Sequence, residues 1–291
     1  MKKHADSWIH EIQTKISEIY PTPIAQHNAW ILLEKLTNKT QAHLIARDEI
    51  ELSGEQQQTL DNWLEKLTKQ HMPLQYLLGD VPFINLKLLV EPPVLIPRPE
   101  TEEWCDTLIT ELKKTNKTIL TILDLCTGSG CIGLALAKAF PQSTIYATDT
   151  EDHALSLARK NAVLNAIENI IFIKSDIYQN IPKDIPFDLI VANPPYIAPE
   201  EWQTLEPEVK DWEDKHALVA ENQGLDIIQK IVTDAPRFLK PGLTVPQLWI
   251  EIGYQQGDQV SALFKNAGFV EVEVLQDWYS HDRVVIGKLK S

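Results

Sequence analysis

Ile119-Leu120-Thr121-Ile122-Leu123-Asp124-Leu125-Cys126-Thr127-Gly128-Ser129-Gly130-Cys131-Ile132-Gly133 passes from an apolar run into small residues and then into a helical pattern. This order predicts a buried strand, a tight loop and a helix. Working outward, further strands are expected at Thr144–Thr148, Ile170–Lys174, Leu189–Ala192, Leu248–Ile252, Val270–Leu275 and Arg283–Gly287. Helices are expected near 130–140, 151–165, 224–238 and 255–267, the third carrying the stripe Leu225, Ile228, Ile231, Val232 and Ala235. Strands alternating with helices imply a mostly parallel, doubly wound α/β sheet. The last two strands follow each other directly, which predicts an antiparallel hairpin at one sheet edge.

Residues 1–80 read as a small helical domain. Trp8, Ile12, Ile16 and Ile19 share one helical face, as do Leu60, Trp63, Leu64 and Leu67. Pro21-Thr22-Pro23 marks a turn, and Ser53 with Gln56 forms a capping-box pattern. Residues 81–99 hold two short β-prone runs around Pro92-Pro93, expected to form a hairpin linker with the prolines at its turn. The sheet domain is placed at 100–291.

The loop after the first strand carries the first chemical signal. Its small residues let backbone N–H groups and the helix start approach a ligand, at the strand ends where such sheets bind ligands. Gly128-Ser129-Gly130-Cys131-Ile132-Gly133 matches the dinucleotide fingerprint, and Asp149 follows about 20 residues on. NAD and S-adenosylmethionine would each use that acid to hold ribose hydroxyls, and a purely structural turn is the third reading.

A second stretch separates them. Phe187-Asp188-Leu189-Ile190-Val191-Ala192 runs straight into Asn193-Pro194-Pro195-Tyr196. Prolines after a strand can merely end it. Here they combine into a clamp suited to a planar NH2 group: the Asn193 side-chain oxygen accepts one N–H, and the Pro194 carbonyl, aimed by proline stiffness, accepts the other. Tyr196 offers a stacking face with attraction to a sulfonium. With no general base evident, catalysis would come from positioning and electrostatics. Hydride transfer has no use for such a clamp, so the motif favours methyl transfer from S-adenosylmethionine to an exocyclic amide or amine nitrogen.

Composition bounds the target. The chain has 291 residues, 44% of them apolar, and a net charge of −14. Basic residues do not outnumber acidic ones in either domain, which argues against a phosphate backbone as partner, so no direct nucleic-acid contact is expected. Cys105, Cys126 and Cys131 have neither metal-ligand nor disulfide-rich spacing, and no metal is expected. No apolar run approaches the roughly 20 residues that span a bilayer. The cytoplasm is the expected location, with the mitochondrial matrix as alternative if a transit peptide precedes the chain. Cys131 reads as core, and His216 and His281 as surface residues.

With both motifs in place the chain resembles the HemK/PrmC family, over nearly its whole length. Leu95-Ile96-Pro97-Arg98-Pro99-Glu100-Thr101-Glu102 is similar to the family's linker signature. The stretch Trp212 to Leu218 before Gly224-Leu225-Asp226 also fits, as do Glu251-Ile252-Gly253 and Asp282-Arg283-Val284. The resemblance implies a seven-stranded S-adenosylmethionine-dependent methyltransferase fold, with a helical amino-terminal domain that recognises class I peptide-chain release factors. It implies methylation of N5 of the glutamine in their Gly-Gly-Gln motif. Cys126, Thr127, Gly128, Ser129 and Gly130 would line the methionine end of the cofactor, Asp149 would hold the ribose, and Asp176 and Ile177 would flank the adenine. Asn193, Pro194, Pro195 and Tyr196 would hold the glutamine, Asn193 also touching the cofactor, with Arg98 and Glu100 as substrate-loop contacts. Many relatives carry Gly where Cys126 stands, and Cys is small enough to fit. Ile177 replaces an aromatic and offers apolar packing in place of stacking. The alternative is an RNA or DNA amino-methyltransferase using the same clamp, and a third reading is a cofactor-binding module without activity.

Overall fold

The computed structural model describes residues 2–46, 49–115, 117 and 119–290. The chain divides into two compact units, Met1–Gly79 with Glu206–Trp212, and Asp80–Leu205 with Glu213–Ser291.

The first unit is helical: α1 (Ala5–Ile16), α2 (Thr22–Thr37), α3 (Gln41–Ile45), α4 (Gly54–Gln70) and α5 (Leu74–Leu78). The short strands β1 (Lys2–Lys3) and β2 (Ile50–Glu51) pair antiparallel. Trp8, Ile12 and Ile16 are buried with Leu32, Leu33, Leu60, Leu64 and Leu67 in one core, while Ile19 and Trp63 are half-buried against it. The Trp8 indole N–H donates to the Ile50 carbonyl at 3.2 Å. The capping box is formed: the Gln56 N–H donates to Ser53 Oγ at 3.1 Å, and the Ser53 N–H to Gln56 Oε1 at 3.0 Å. Segment 206–212 lies on this unit through two polar contacts. Tyr20 donates its hydroxyl to Glu208 at 2.6 Å, and the Trp212 indole N–H donates to the Gln70 carbonyl at 2.8 Å.

The second unit opens with an antiparallel hairpin, β3 (Asp80–Phe83) and β4 (Leu86–Leu89). Its turn falls at Ile84-Asn85, with Ile84 at φ 51°, and not at Pro92-Pro93 as the sequence pattern suggested. Residues 90–98 form no strand. Instead α6 (Pro99–Lys113) starts at Pro99, whose fixed φ and missing N–H suit the first helical position. No helix is expected there from the sequence, because prolines flank its start at Pro97 and Pro99.

The remaining elements are β5 (Thr121–Leu125), α7 (Cys131–Ala139), β6 (Thr144–Asp149), α8 (Asp152–Leu164), β7 (Ile170–Lys174), β8 (Leu189–Ala192), α9 (Pro207–Lys210, in the first unit), the turn α10 (Glu221–Gly224), α11 (Asp226–Asp234), β9 (Leu248–Glu251), α12 (Gly257–Asn266), β10 (Phe269–Gln276) and β11 (Asp282–Leu289). The sheet order is β10-β11-β9-β8-β5-β6-β7. Strands β5 to β9 run parallel, and β11 pairs antiparallel with both β9 and β10, giving the expected edge hairpin. The helix drawn over 224–238 is shorter. Asn222, Gln223 and Gly224 are left-handed before it, and at its other end Pro236 lacks the N–H that would continue it.

Alternation along β5 divides the two faces. Leu123 and Leu125 enter the core shared with Ile228, Ile231, Val260 and Phe264 of α11 and α12. Asp124, between them, points to the other face and meets Gly133 of α7. Among the described residues no helix is long and apolar enough to cross a membrane.

Candidate active site

Strand β5 has β6 on one side and β8 on the other, so the winding reverses there. Such a switch point leaves a crevice at the strand ends. Leu125 and Ala192 are register partners at the ends of β5 and β8, so Cys126 and Asn193 leave adjacent strands at the same level.

The loop after β5 is held from below. The buried Asp124 carboxylate accepts Thr127 Oγ1–H at 2.5 Å and the Gly133 N–H at 3.0 Å. Burial pushes the Asp124 carboxyl up to about 7, against those two hydrogen bonds. Asn161 of α8 ties the loop to the hairpin, donating to the Ser129 carbonyl at 2.9 Å and accepting the Leu89 N–H at 2.7 Å. Thr127 and Ser129 are buried in this support, and a Cβ on Gly130 would come within 3.1 Å of Ala158. At Gly128 an added Cβ would meet nothing within 4 Å.

Asp149 ends β6 beside this loop, accepting the Gly128 N–H at 2.9 Å and the Glu151 N–H at 3.0 Å. Its carboxyl is pushed up by burial, opposed by those hydrogen bonds. Cys126 sits at φ 58° and Ile177 at φ 49°. The fit of Cys at the glycine position is therefore a matter of backbone as well as size: a left-handed non-glycine residue costs about 1–2 kcal/mol. Burial near Asp149 and Asp124 also pushes the Cys126 thiol up, so it is no thiolate nucleophile at neutral pH.

Asn193 donates Nδ2–H to Thr101 Oγ1 at 3.3 Å. Thr101 donates to Glu251 Oε2 at 2.7 Å, and the Trp104 indole N–H donates to the same oxygen at 2.8 Å. Burial pushes the Glu251 carboxyl up, against these bonds and the Arg283 charge. Among the described residues neither Asn193 Oδ1 nor the Pro194 carbonyl has a hydrogen-bond partner. The Tyr196 carbonyl accepts Gln256 Nε2–H at 3.0 Å, and burial with the nearby Glu251 charge keeps the Tyr196 phenol protonated.

These strand ends enclose a cavity of about 140 Å³, where a water molecule needs about 10–15 Å³. Of the residues singled out in the sequence, Cys126, Gly128, Asp149, Asp176, Ile177, Asn193 and Pro195 line it. Tyr196 lines a neighbouring hollow with Tyr254 and Gln256. Arg98 and Glu100 are not brought into the cavity. Arg98 is ion-paired at 2.5 Å with the buried Glu213, and Glu100 faces a separate crevice with Trp104 and Arg283. The sequence reading missed Val94, Leu95, Ile227, Glu151, His153 and Asp214 on the cavity wall, and His216, read as a plain surface residue, also borders it. Glu151, His153 and Asp214 bring one ligand atom each within 4.8 Å of one another, a spacing able to hold a metal ion, although exposed acidic groups are common without one.

Residues 102–206 match the family model of the Methyltransferase small domain, and residues 7–79 that of the PrmC N-terminal domain. The release factor glutamine methyltransferase of Lactococcus lactis is 37% identical, covering 96% of this chain and 98% of its own length. That of Salmonella typhimurium is 36% identical, covering 97% of both, and that of Thermodesulfovibrio yellowstonii is 38% identical over 81% of this chain and 83% of its own. Among solved structures, the hMettl16 catalytic domain with a MAT2A 3'UTR hairpin aligns at TM-score 0.54, 14% identity, covering 96% of this chain and 92% of that one. A T. thermophilus 16S rRNA methyltransferase with AdoMet and guanosine aligns at TM-score 0.52, 18% identity, covering 72% and 50%. At such identities the structures speak for the fold alone, a methyltransferase sheet. The full-length relatives speak for more, and by them this chain belongs to the release factor glutamine methyltransferase family.

Proposed function

We propose that this chain transfers a methyl group from S-adenosylmethionine to the N5 amide nitrogen of the glutamine in the Gly-Gly-Gln motif of class I release factors. The observation that carries this reading is the placement of Asn193-Pro194-Pro195-Tyr196 at the end of β8, one strand from the Cys126–Gly130 loop, with the Asn193 NH2 turned back onto Thr101.

The residues present suit the cofactor. The open face at Gly128 lets a ligand reach the backbone, and Asp149 keeps lone pairs for a ribose diol beyond the two N–H groups it accepts. Asp176 and Ile177 form the wall for adenine, and the Cys126–Gly130 loop takes the methionine end. Bound there, S-adenosylmethionine supplies a methyl group on a positively charged sulfur that leaves as a neutral thioether.

The protein's task is to make a poor nucleophile competent. An amide nitrogen is unreactive because its lone pair is delocalised into the carbonyl. Asn193 Oδ1 and the Pro194 carbonyl each accept one of its N–H groups, which holds the NH2 so that the lone pair, perpendicular to the amide plane, faces the donor. Proline stiffness fixes the second acceptor. No base is needed before transfer, and the proton leaves to solvent afterwards. We assign recognition of the rest of the factor to the helical unit.

The test uses methyl-labelled cofactor with either a purified class I factor or total RNA. Label on the factor, located by mass spectrometry on the Gly-Gly-Gln glutamine, is the expected result. Label on RNA alone would overturn the reading.

A further inference from the structure

An asparagine amide has two nearly isosteric ends, one accepting and one donating. The clamp works only with the oxygen facing substrate. A flipped Asn193 would present NH2 to the substrate NH2, two donors facing each other. Packing alone does not distinguish the two orientations, since they fill the same volume. Something else must set the polarity.

We propose that Glu251 and Thr101 form a positioning relay that fixes which end of the Asn193 amide faces the substrate. This inference rests on the methyl-transfer reading above. A threonine hydroxyl can donate or accept, so on its own it would tolerate either orientation of Asn193. Here its single proton is committed. Glu251 Oε2 accepts it at 2.7 Å and accepts the Trp104 indole N–H at 2.8 Å. With Glu251 ionised its oxygens only accept, and the Trp104 N–H beside it favours that form, so the Thr101 proton goes to Glu251. Toward Asn193, 3.3 Å away, Thr101 can therefore offer only a lone pair, and the amide must answer with Nδ2–H. Oδ1 is left pointing away from Thr101. One orientation satisfies every member of the chain, and the reverse leaves two acceptors or two donors opposed.

The setting makes the polarity hard to lose. Thr101, Trp104 and Glu251 are all nearly fully buried, so water cannot substitute for a broken link. Regular elements hold the members: α6 supplies Thr101 and Trp104, β9 supplies Glu251, and Asn193 follows β8, which is the register neighbour of β9. A buried carboxylate is costly to keep, and neutral residues of similar size would pack at less cost. None of the three lines the cofactor cavity, so their effect on transfer must pass through Asn193.

The experiment compares Thr101→Val, Thr101→Ser, Glu251→Gln and Asn193→Ala with wild type, and adds the double variant Thr101→Val/Asn193→Ala. Single-turnover methyl transfer to an intact release factor is measured at saturating cofactor, with KM for the factor, calorimetric cofactor affinity and a thermal melt for each protein. Thr101→Val keeps the shape and loses the relay, and its transfer step should slow on the order of ten- to a hundredfold, less than for a direct contact. KM and cofactor affinity should stay near wild type. Thr101→Ser keeps the hydroxyl and should restore the rate. The double variant should be no slower than Asn193→Ala alone, because the relay has nothing left to position. If Thr101→Val melts below the assay temperature, Glu251→Gln takes its place in the cycle. Its NH2 can donate to Thr101 and reverse the polarity, so it too should slow transfer only while Asn193 is present. A wild-type rate for Thr101→Val beside an impaired Asn193→Ala overturns the relay and leaves the clamp standing, as does a double variant slower by the product of the two single effects. A wild-type rate for Asn193→Ala overturns the clamp itself.

Discussion

Gly224 packs against the back of the clamp, and replacing it by alanine is a demanding test of whether backbone position there sets the rate. Its φ is +79°, and an added Cβ would stand 1.9 Å from the Tyr196 carbonyl oxygen and 2.8 Å from Gln256 Nε2. Contacts below 3.0 Å do not persist, so the Tyr196 peptide must retreat by about an ångström. Left-handed backbone costs a non-glycine residue about 1–2 kcal/mol. Losing the Gln256-to-Tyr196 hydrogen bond adds about 0.5–1.5 kcal/mol. Together these predict a melting temperature lower by roughly 2–6 °C in a chain of this size. A misplacement of about 1 Å at a positioning element can slow catalysis about a hundredfold. Gly224→Ala should therefore slow single-turnover transfer on that order while cofactor affinity, read by calorimetric titration, stays near wild type. Gly268→Ala is the control, with φ +90° and nothing within 4 Å of the added Cβ. It should lose stability alone. A wild-type transfer rate in folded Gly224→Ala would refute the idea that the Tyr196 backbone must be held in place.

Three further outcomes are expected. Asp149→Ala removes a half-buried acceptor and should weaken S-adenosylmethionine binding by about 1.5–3 kcal/mol, roughly tenfold to 150-fold in calorimetry; unchanged affinity would remove Asp149 from the site. Ser53→Ala breaks the capping box of α4 and should cost about 1 kcal/mol in urea unfolding followed by circular dichroism. Asp124 binds its proton more tightly folded, at about 7, than unfolded, near 3.8. Between those values folding takes up a proton, so stability should fall as pH rises through the window and level off above about 7. Asp149 and Glu251, also pushed up by burial, act in the same direction. Urea unfolding across that range should show the slope, and Asp124→Asn should flatten it.

The parallel strands were legible in the sequence because burial on both faces leaves uninterrupted apolar runs, Leu189–Ala192 being buried throughout. The two loops that leave β5 and β8 were legible too, since small residues and prolines constrain backbone locally. Helix α6 was hidden by the Pro-Arg-Pro stretch before it, although Thr101, Trp104, Cys105, Leu108, Ile109 and Leu112 form a regular stripe. The hairpin turn was misplaced because Ile84 adopts a left-handed conformation that a β-branched residue rarely takes. Long-range partners left no local trace. Arg98 finds Glu213 across 115 residues, and Thr101 finds Glu251 across 150. Only folding brings such pairs together, and no spacing rule announces them. The excursion of Glu206–Trp212 onto the helical unit is of the same kind, fixed by Tyr20 and Gln70.

The central claim is that Asn193 aims an amide nitrogen at the methyl donor, and single-turnover transfer by Asn193→Ala tests it most directly. The alanine chain should bind S-adenosylmethionine nearly as well as wild type, since Asp149 and the Cys126–Gly130 loop remain. Its transfer to the Gly-Gly-Gln glutamine should fall on the order of 10²–10³-fold, as when a polar contact to a transition state is removed in a dry site. Asn193→Asp keeps an acceptor oxygen and should retain more activity than alanine. A folded Asn193→Ala chain that methylates the factor at the wild-type rate would contradict the account.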